Sequence, residues 1–406
     1  MARNHLKLVD APVAPSVRGT SHLRQANLAA VMREVHYSSQ VSRSELASKL
    51  DLNRSTVLDL LAELEGRGLV VQTMGDRDGA VGRPSMMVEP SDKVLSIAVS
   101  PRMDALTVAV MGMGGRVIDK FRQPIRRGTT IDEMVVITGR VIAKFRNALP
   151  ADALLTGIGV AIPGQIQISK GIVRAAPSLG WDEVPFAAML ADETGLPVWL
   201  DNDASVSCVA ELRFGVGRGY QNLVLLFGAA GGIGGGVVVN GSLLRGIDGY
   251  AGELGHIRIS DSGVNDYSGI PGTLESLVRR EDLLKALIMA DADDDELESA
   301  ILERKSSRVS KLLDTQADML GRAIGLFVNI FNPEVIALDG FLSVIFRTRR
   351  DRLVAAVKAH SLRSAFEHVQ FKVGGLGSNV LLVGATELAV ARILDDPIGA
   401  QLYPAR

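Results

Sequence analysis

The hydrophobic period changes near residue 90, and that change constrains this chain more than any other feature. From about residue 91, strand-length apolar runs alternate with amphipathic helices. VLSIAVS, LTVAVMG and GRVIDKFRQPI read as strands, IDEMVVITGRVIAKFRNAL as a helix, LLTGIGVAIPG as a buried strand, PFAAMLADETG as a helix and PVWLDND as a strand ending on charged residues. A glycine-rich hairpin follows over 223–239, then the long helix RVSKLLDTQADMLGRAIGLFVNIFNP and the strand EVIALDG. This alternation predicts an α/β domain, here of two lobes. Residues 280–305 read as a solvated, charged helix pair around an acidic turn at 291–295.

Residues 21–90 follow a different order. Leu28, Val31, Met32 and Val35 recur at helical spacing. Ser42 with Glu45 forms a capping-box pattern opening the short helix SELASKL. After a turn, Asn53 is a second N-cap, and Val57, Leu60, Leu61 and Leu64 make the apolar stripe of a third helix that stops at Gly66-Arg67-Gly68. LVVQTMG, the turn DRDGAVG and RPSMMVEP then read as a strand, a loop and a returning strand. Helix, helix, turn, helix and two-stranded wing is the order of a winged helix-turn-helix. Residues 1–20, with two prolines and no periodic pattern, read as a flexible arm.

Composition excludes several classes. A net charge of −2 gives no global basic field, so any nucleic-acid reader must be a local device. The single cysteine, Cys208, rules out an internal disulfide or a multi-cysteine zinc site. The start carries no signal-peptide pattern. Tyr220–Leu244 is uncharged and long enough to span a bilayer, but its seven glycines favour buried strands joined by a turn. The expectation is a cytoplasmic protein with no membrane partner.

In a helix-turn-helix the first residues of the second helix face base edges in the major groove. Here these are Asn53, Arg54, Ser55 and Thr56, while Ser42 and Arg43 open the preceding helix, where hydroxyls and backbone N–H groups suit a phosphate. Arg83, in Gly82-Arg83-Pro84 at the wing, suits a narrow A·T-rich minor groove. Eight Lys/Arg against nine Asp/Glu over 21–90 leave open a protein-binding adaptor, but Asp59, Glu63 and Glu65 lie late in the third helix, away from its reading end.

Taken together, SRSELASKLDLNRSTV with GRP, GVAIPGQI, PSLGW, LDNDASV, GGIGGGVVVNG, GELGH and GTLE resemble the ROK family of repressors, open reading frames and sugar kinases over about residues 20–395. The likeness is to its repressor branch, which includes xylose and N-acetylglucosamine repressors. It implies a winged helix-turn-helix followed by a two-lobed actin-like, sugar-kinase-like domain. The expected division is an arm over 1–20, a DNA-binding domain over 21–90, a first lobe over 91–200 and a second over 201–406, with the C-terminal helix packing back on the first lobe.

The family's kinases hold ATP phosphates on a DxGxT turn, a GTG loop and an adenosine-side GG. Here Ser100, Arg102 and Asp104 stand in place of the turn's carboxylate, glycine and threonine, Ala230-Gly231-Gly232 lacks the loop's hydroxyl, and Asp339-Gly340 replaces the glycine pair. The hexose side is better kept: the resemblance implies effector contacts at Gly164, Asn202, Asp203, Glu253, His256 and Glu275. Asp203 takes the kinases' general-base position and, without ATP, would only accept a hydroxyl. Asn202 and Asp203 would also serve as simple helix caps. The family's PNL is Pro177-Ser178-Leu179 here, which puts the ligand's identity in question. Its zinc motif is His256 followed by Asp266, Ser268 and Thr273 in place of three cysteines, so no family-type zinc, and no other cofactor, is expected. Asp266 with His256 is at most a weak metal pair.

The chain is therefore expected to be a non-enzymatic, sugar-responsive regulator of carbohydrate-utilisation genes that represses transcription. Its partners would be double-stranded operator DNA and a small carbohydrate, bound as a homodimer or dimer of dimers. Two alternatives stay open: a ROK-type sugar kinase with an added N-terminal domain, and a regulator whose sugar pocket is vestigial.

Overall fold

A computed structural model describes residues 20–74, 86–103, 105–126, 128–290, 292, 294–304 and 306–406. The expected arm and the wing loop carrying Arg83 lie outside the described residues, as does Asp104. The chain divides into two compact units, residues 1–90 with 392–400, and residues 91–391 with 401–406.

In the first unit, α1 (Thr20–Ser38) buries Leu28, Val31, Met32 and Val35. The two-residue β1 (Val41–Ser42) leads into α2 (Arg43–Lys49). Ser42 caps α2 by accepting from the Glu45 amide at 3.1 Å, and its own N–H donates to Glu45 Oε2 at 2.8 Å. Asn53 caps α3 (Arg54–Gly66), whose Val57, Leu60, Leu61 and Leu64 face the core. β2 (Val70–Met74) and β3 (Met86–Pro90) pair antiparallel, and β1 joins on the far side of β3. Arg33 pairs with Asp395, and Arg67 donates to the Ala400 carbonyl, both at 2.5 Å, tying residues 392–400 into this unit.

The second unit starts with an antiparallel meander, β4 (Val94–Pro101), β5 (Ala105–Gly112) and β6 (Arg116–Pro124). After α4 (Ile131–Ala148), β7 (Leu154–Ile162) pairs parallel to β4. Short strands β8 (Gln165–Gln167), β9 (Ile172–Ala176) and β10 (Trp181–Val184) make a small separate sheet. α5 (Phe186–Thr194), β11 (Val198–Asn202) and α6 (Asp203–Phe214) follow. The first main sheet runs β11-β7-β4-β5-β6.

The second main sheet starts with the glycine hairpin β12 (Leu223–Ala229) and β13 (Gly232–Val239), plus β14 (Ser242–Leu243). Then come α7 (Leu274–Leu277), α8 (Arg280–Leu287), α9 (Asp294–Glu303), α10 (Ser307–Phe331), β15 (Val335–Gly340), α11 (Phe341–His360), α12 (Arg363–Phe366), β16 (Gln370–Val373), α13 (Val380–Asp395) and β17 (Tyr403–Pro404). Its order is β14-β13-β12-β15-β16, and β17 returns to pair with β7 of the first sheet.

Three apolar clusters arrange these parts in layers. α4 and α5 cover the outer face of the first sheet, and α10 and α11 cover that of the second. Between the sheets lie α6 and α13, packed on alanines of one and leucines of the other. Small residues make that sandwich possible: a Cβ on Gly159 of β7 would fall 1.8 Å from the Ala385 carbonyl oxygen. The same burial explains why α13 is apolar enough to cross a membrane by length and composition, with 67% of that stretch buried. The uncharged Tyr220–Leu244 stretch is the β12–β13 hairpin with β14, not a helix.

Candidate functional sites

Of the residues expected to face DNA, Ser42 and Arg43 lie at the start of α2 and Asn53–Thr56 at the start of α3. Asn53, Arg54 and Ser55 are exposed and Thr56 is half-buried. Asn53 Oδ1 accepts from the Thr56 amide and the Ser55 hydroxyl, each at 2.8 Å, which fixes the first turn of α3. Among the described residues Arg54 has no ion-pair or hydrogen-bond partner, so its guanidinium is free for a phosphate or a base edge. Arg43 is engaged with Gln72 Oε1 at 2.7 Å. Ser42 is 7% exposed and committed to its cap, so any phosphate there would meet backbone and Ser44 rather than the Ser42 hydroxyl.

The second unit carries a narrow cleft between its sheets, with a cavity volume of about 10 Å³ as it stands. One wall is Gly164–Ile166 with Asn202 and Ser205; the other is Gly234-Gly235 and Gly249–Glu253. Gly164 has φ +130, and a Cβ there would come within 2.3 Å of the Ala175 carbonyl, so only glycine holds this turn. Asn202 caps α6, its Oδ1 accepting from the Ser205 amide at 3.0 Å while its Nδ2 donates to the Gly164 carbonyl at 2.9 Å. The capping role and the cleft-lining position therefore coincide.

Of the six expected effector residues, Gly164, Asn202 and Glu253 line the cleft, whereas Asp203, His256 and Glu275 are not among its lining residues. Burial raises the Asp203 carboxyl, with Arg102 pulling it down. Burial also raises Glu253, opposed by His256 and reinforced by the Asp203 charge. Glu275 is 9% exposed, accepts from the Ile233 amide at 2.9 Å and is pushed up to about 7 by burial. Three carboxyls that are costly to ionise without a partner suit a neutral polyol whose hydroxyls can donate to them. Gly231 at the hairpin tip lies against Ser178, whose Cβ would be 3.4 Å from a Cβ added at Gly231.

Both ring nitrogens of His256 are engaged, Nδ1 with Asp266 Oδ2 at 2.8 Å and Nε2 with the Tyr267 hydroxyl at 3.0 Å. His256 thus positions its neighbours unless Tyr267 swings away. Sequence reasoning also missed the ion pair between Arg245, after β14, and the buried Asp201 at the end of β11, which ties the two cleft walls together. Its partners are 44 residues apart, with no local signal.

The residues at the zinc-motif positions do not fit zinc. In a tetrahedral site with bonds of about 2.0–2.2 Å, ligand atoms stand about 3.3–3.5 Å apart. His256 Nδ1 and Asp266 Oδ2 are at hydrogen-bond distance instead. Among the described residues, His256, Asp266 and Glu275 are the one group of three potential ligands, and Glu275 Oε2 already accepts a backbone bond.

Known proteins place this architecture. A xylose repressor from Caldicellulosiruptor bescii is 26% identical over 391 residues, covering 92% of this chain and 98% of its own. A glucokinase from Halalkalibacterium halodurans is 27% identical over 300 residues, covering 69% of this chain and 90% of its own. The crystal structure of a ROK family transcriptional regulator, a homologue of the E. coli MLC protein, superposes with a TM-score of 0.74 at 22% identity, covering 92% and 97% of the two chains, so the fold is shared. Residues 103–392 match the ROK family itself, and the chain belongs to that family.

Proposed function

We propose that this protein is a sugar-responsive transcriptional repressor. The first unit is a winged helix-turn-helix that reads a two-fold operator as part of a homodimer, and the second is a kinase-like sensor without kinase activity. The observation that carries this reading is coverage: the xylose repressor match takes in 92% of the chain, whereas the glucokinase match takes in 69% of it. The free Arg54 at the start of α3 supports it.

The sensor would bind a small carbohydrate through Gly164, Asn202, Asp203, Glu253 and Glu275, with His256 orienting its neighbours. Closure of the two sheets on the sugar would alter the spacing of paired reading heads and so their fit to the operator. Phosphoryl transfer is disfavoured because Pro101 lies within β4, the hairpin tip offers Ala230-Gly231-Gly232 without a hydroxyl, and buried Asp339 stands where the kinases' adenosine-side loop has glycine. No zinc or other cofactor is required, and the protein would act in the cytoplasm.

The test is selection from randomised duplexes, run beside a coupled ATP-turnover assay with D-glucose, D-xylose and N-acetylglucosamine. Enrichment of a two-fold site without sugar-dependent ATP consumption supports the proposal. The kinase alternative, favoured by the glucokinase match, predicts turnover that Asp203→Ala abolishes.

A further inference from the structure

The four positions of the zinc motif remain together in space, and the other three converge on the Asp266 carboxylate. Its side chain is 0% exposed, enclosed by its own loop. Oδ2 accepts from His256 Nδ1 at 2.8 Å and Thr273 Oγ1 at 3.1 Å. Oδ1 accepts from the amides of Ser268 and Ile270, both at 2.9 Å. Four donors on two oxygens satisfy a buried carboxylate. Burial pushes the group up, but the bonds from His256, Ile270 and Thr273 outweigh it and hold the carboxyl below its usual value.

These contacts join three pieces of chain: His256, three residues beyond the cleft residue Glu253; the 266–270 turn; and Thr273, which caps α7 by accepting from the Ser276 amide at 3.2 Å. α7 carries Glu275, whose Oε2 holds the start of β13.

We propose that Asp266 is a metal-free clasp: its carboxylate gathers His256, the 266–270 turn and the α7 cap, setting Glu253 and Glu275 in place without a bound ion. The clasp stands whether or not the cleft takes a sugar; only its effect on effector affinity rests on the reading above. The chemistry differs from a metal site in one measurable respect. A zinc-binding nitrogen must be unprotonated. A carboxylate partner requires a proton on His256 Nδ1, and in the neutral ring this leaves Nε2 to accept from the Tyr267 hydroxyl.

The test uses the full-length protein with no sugar or DNA. Expected are no stoichiometric zinc by elemental analysis, the same melting temperature with and without EDTA, and an Nδ1–H tautomer for His256 by nitrogen-15 NMR. Asp266→Asn replaces one acceptor by a donor, so amides in 257–274 should exchange about tenfold faster or more. Thr273→Val, a milder change, should speed exchange in the same segment by a smaller factor, and it keeps the test decisive if Asp266→Asn does not fold. Stoichiometric zinc with a melting temperature lowered by EDTA, an Nε2–H tautomer for His256, or unchanged exchange in both variants would each overturn the clasp.

Discussion

Asp339, the penultimate residue of β15, is 7% exposed. Oδ1 accepts from the Gly340 amide at 2.8 Å, whereas Oδ2 has no hydrogen-bond partner and is packed so closely on Gly374 that a Cβ there would come within 2.8 Å of it. Burial pushes this group from 3.8 up to about 6. A shift of about two units is worth about 3 kcal/mol. The folded state keeps a proton that the unfolded state has lost, so this contribution to stability falls as pH rises from 3.8 to about 6, then stays at its low value. Asp339→Asn removes the charge, keeps the acceptor for Gly340 and leaves an unpaired amide that costs about 1 kcal/mol. The variant should therefore be about 2 kcal/mol more stable than the parent at pH 7.5, with the advantage shrinking toward pH 4. Scanning calorimetry of both proteins across that range measures it. A melting difference that does not change with pH, or that turns against the variant as pH rises, would refute the reasoning.

Other expectations follow from single positions. Arg54→Ala should weaken binding to a selected operator by about 1–3 kcal/mol if the guanidinium reads a base pair bidentately, measured by fluorescence anisotropy. Arg83→Ala should weaken it mainly on operators with A·T-rich flanks, seen by comparing flank variants. Asp203→Ala and Glu253→Ala should each lose about 1–3 kcal/mol of sugar affinity by calorimetry while keeping operator affinity. Gly159→Ala should cost about 3 kcal/mol or more in a thermal melt, because its Cβ would have to displace the backbone of α13.

Local patterns were legible wherever one segment contains its own cause. The Ser42–Glu45 capping box, the Asn53 cap, the stripe of α3 and the β12–β13 hairpin all read directly from spacing. The β8–β10 sheet did not, because strands of three to five residues interrupted by Gly171 and Pro177 carry too little apolar periodicity. The site was legible as residue types at motif positions. Which of them face the cleft was not, since the Arg245–Asp201 pair joins residues far apart in the chain and the Asp266 network arises only when the 256–273 loop folds on itself. Asn202 shows the overlap: cap and cleft wall demand the same residue, so its presence alone could not separate the two roles.

The central claim is that one chain couples a sugar cleft to an operator-reading unit. Its most direct test is the dissociation constant for the selected operator, measured at fixed salt with and without D-xylose, D-glucose and N-acetylglucosamine. The account predicts sequence-specific binding that at least one of these sugars shifts about fivefold or more, with the operator changing the affinity for that sugar by the same factor. Sequence-specific binding untouched by all three sugars, or no sequence-specific binding at all, would contradict it.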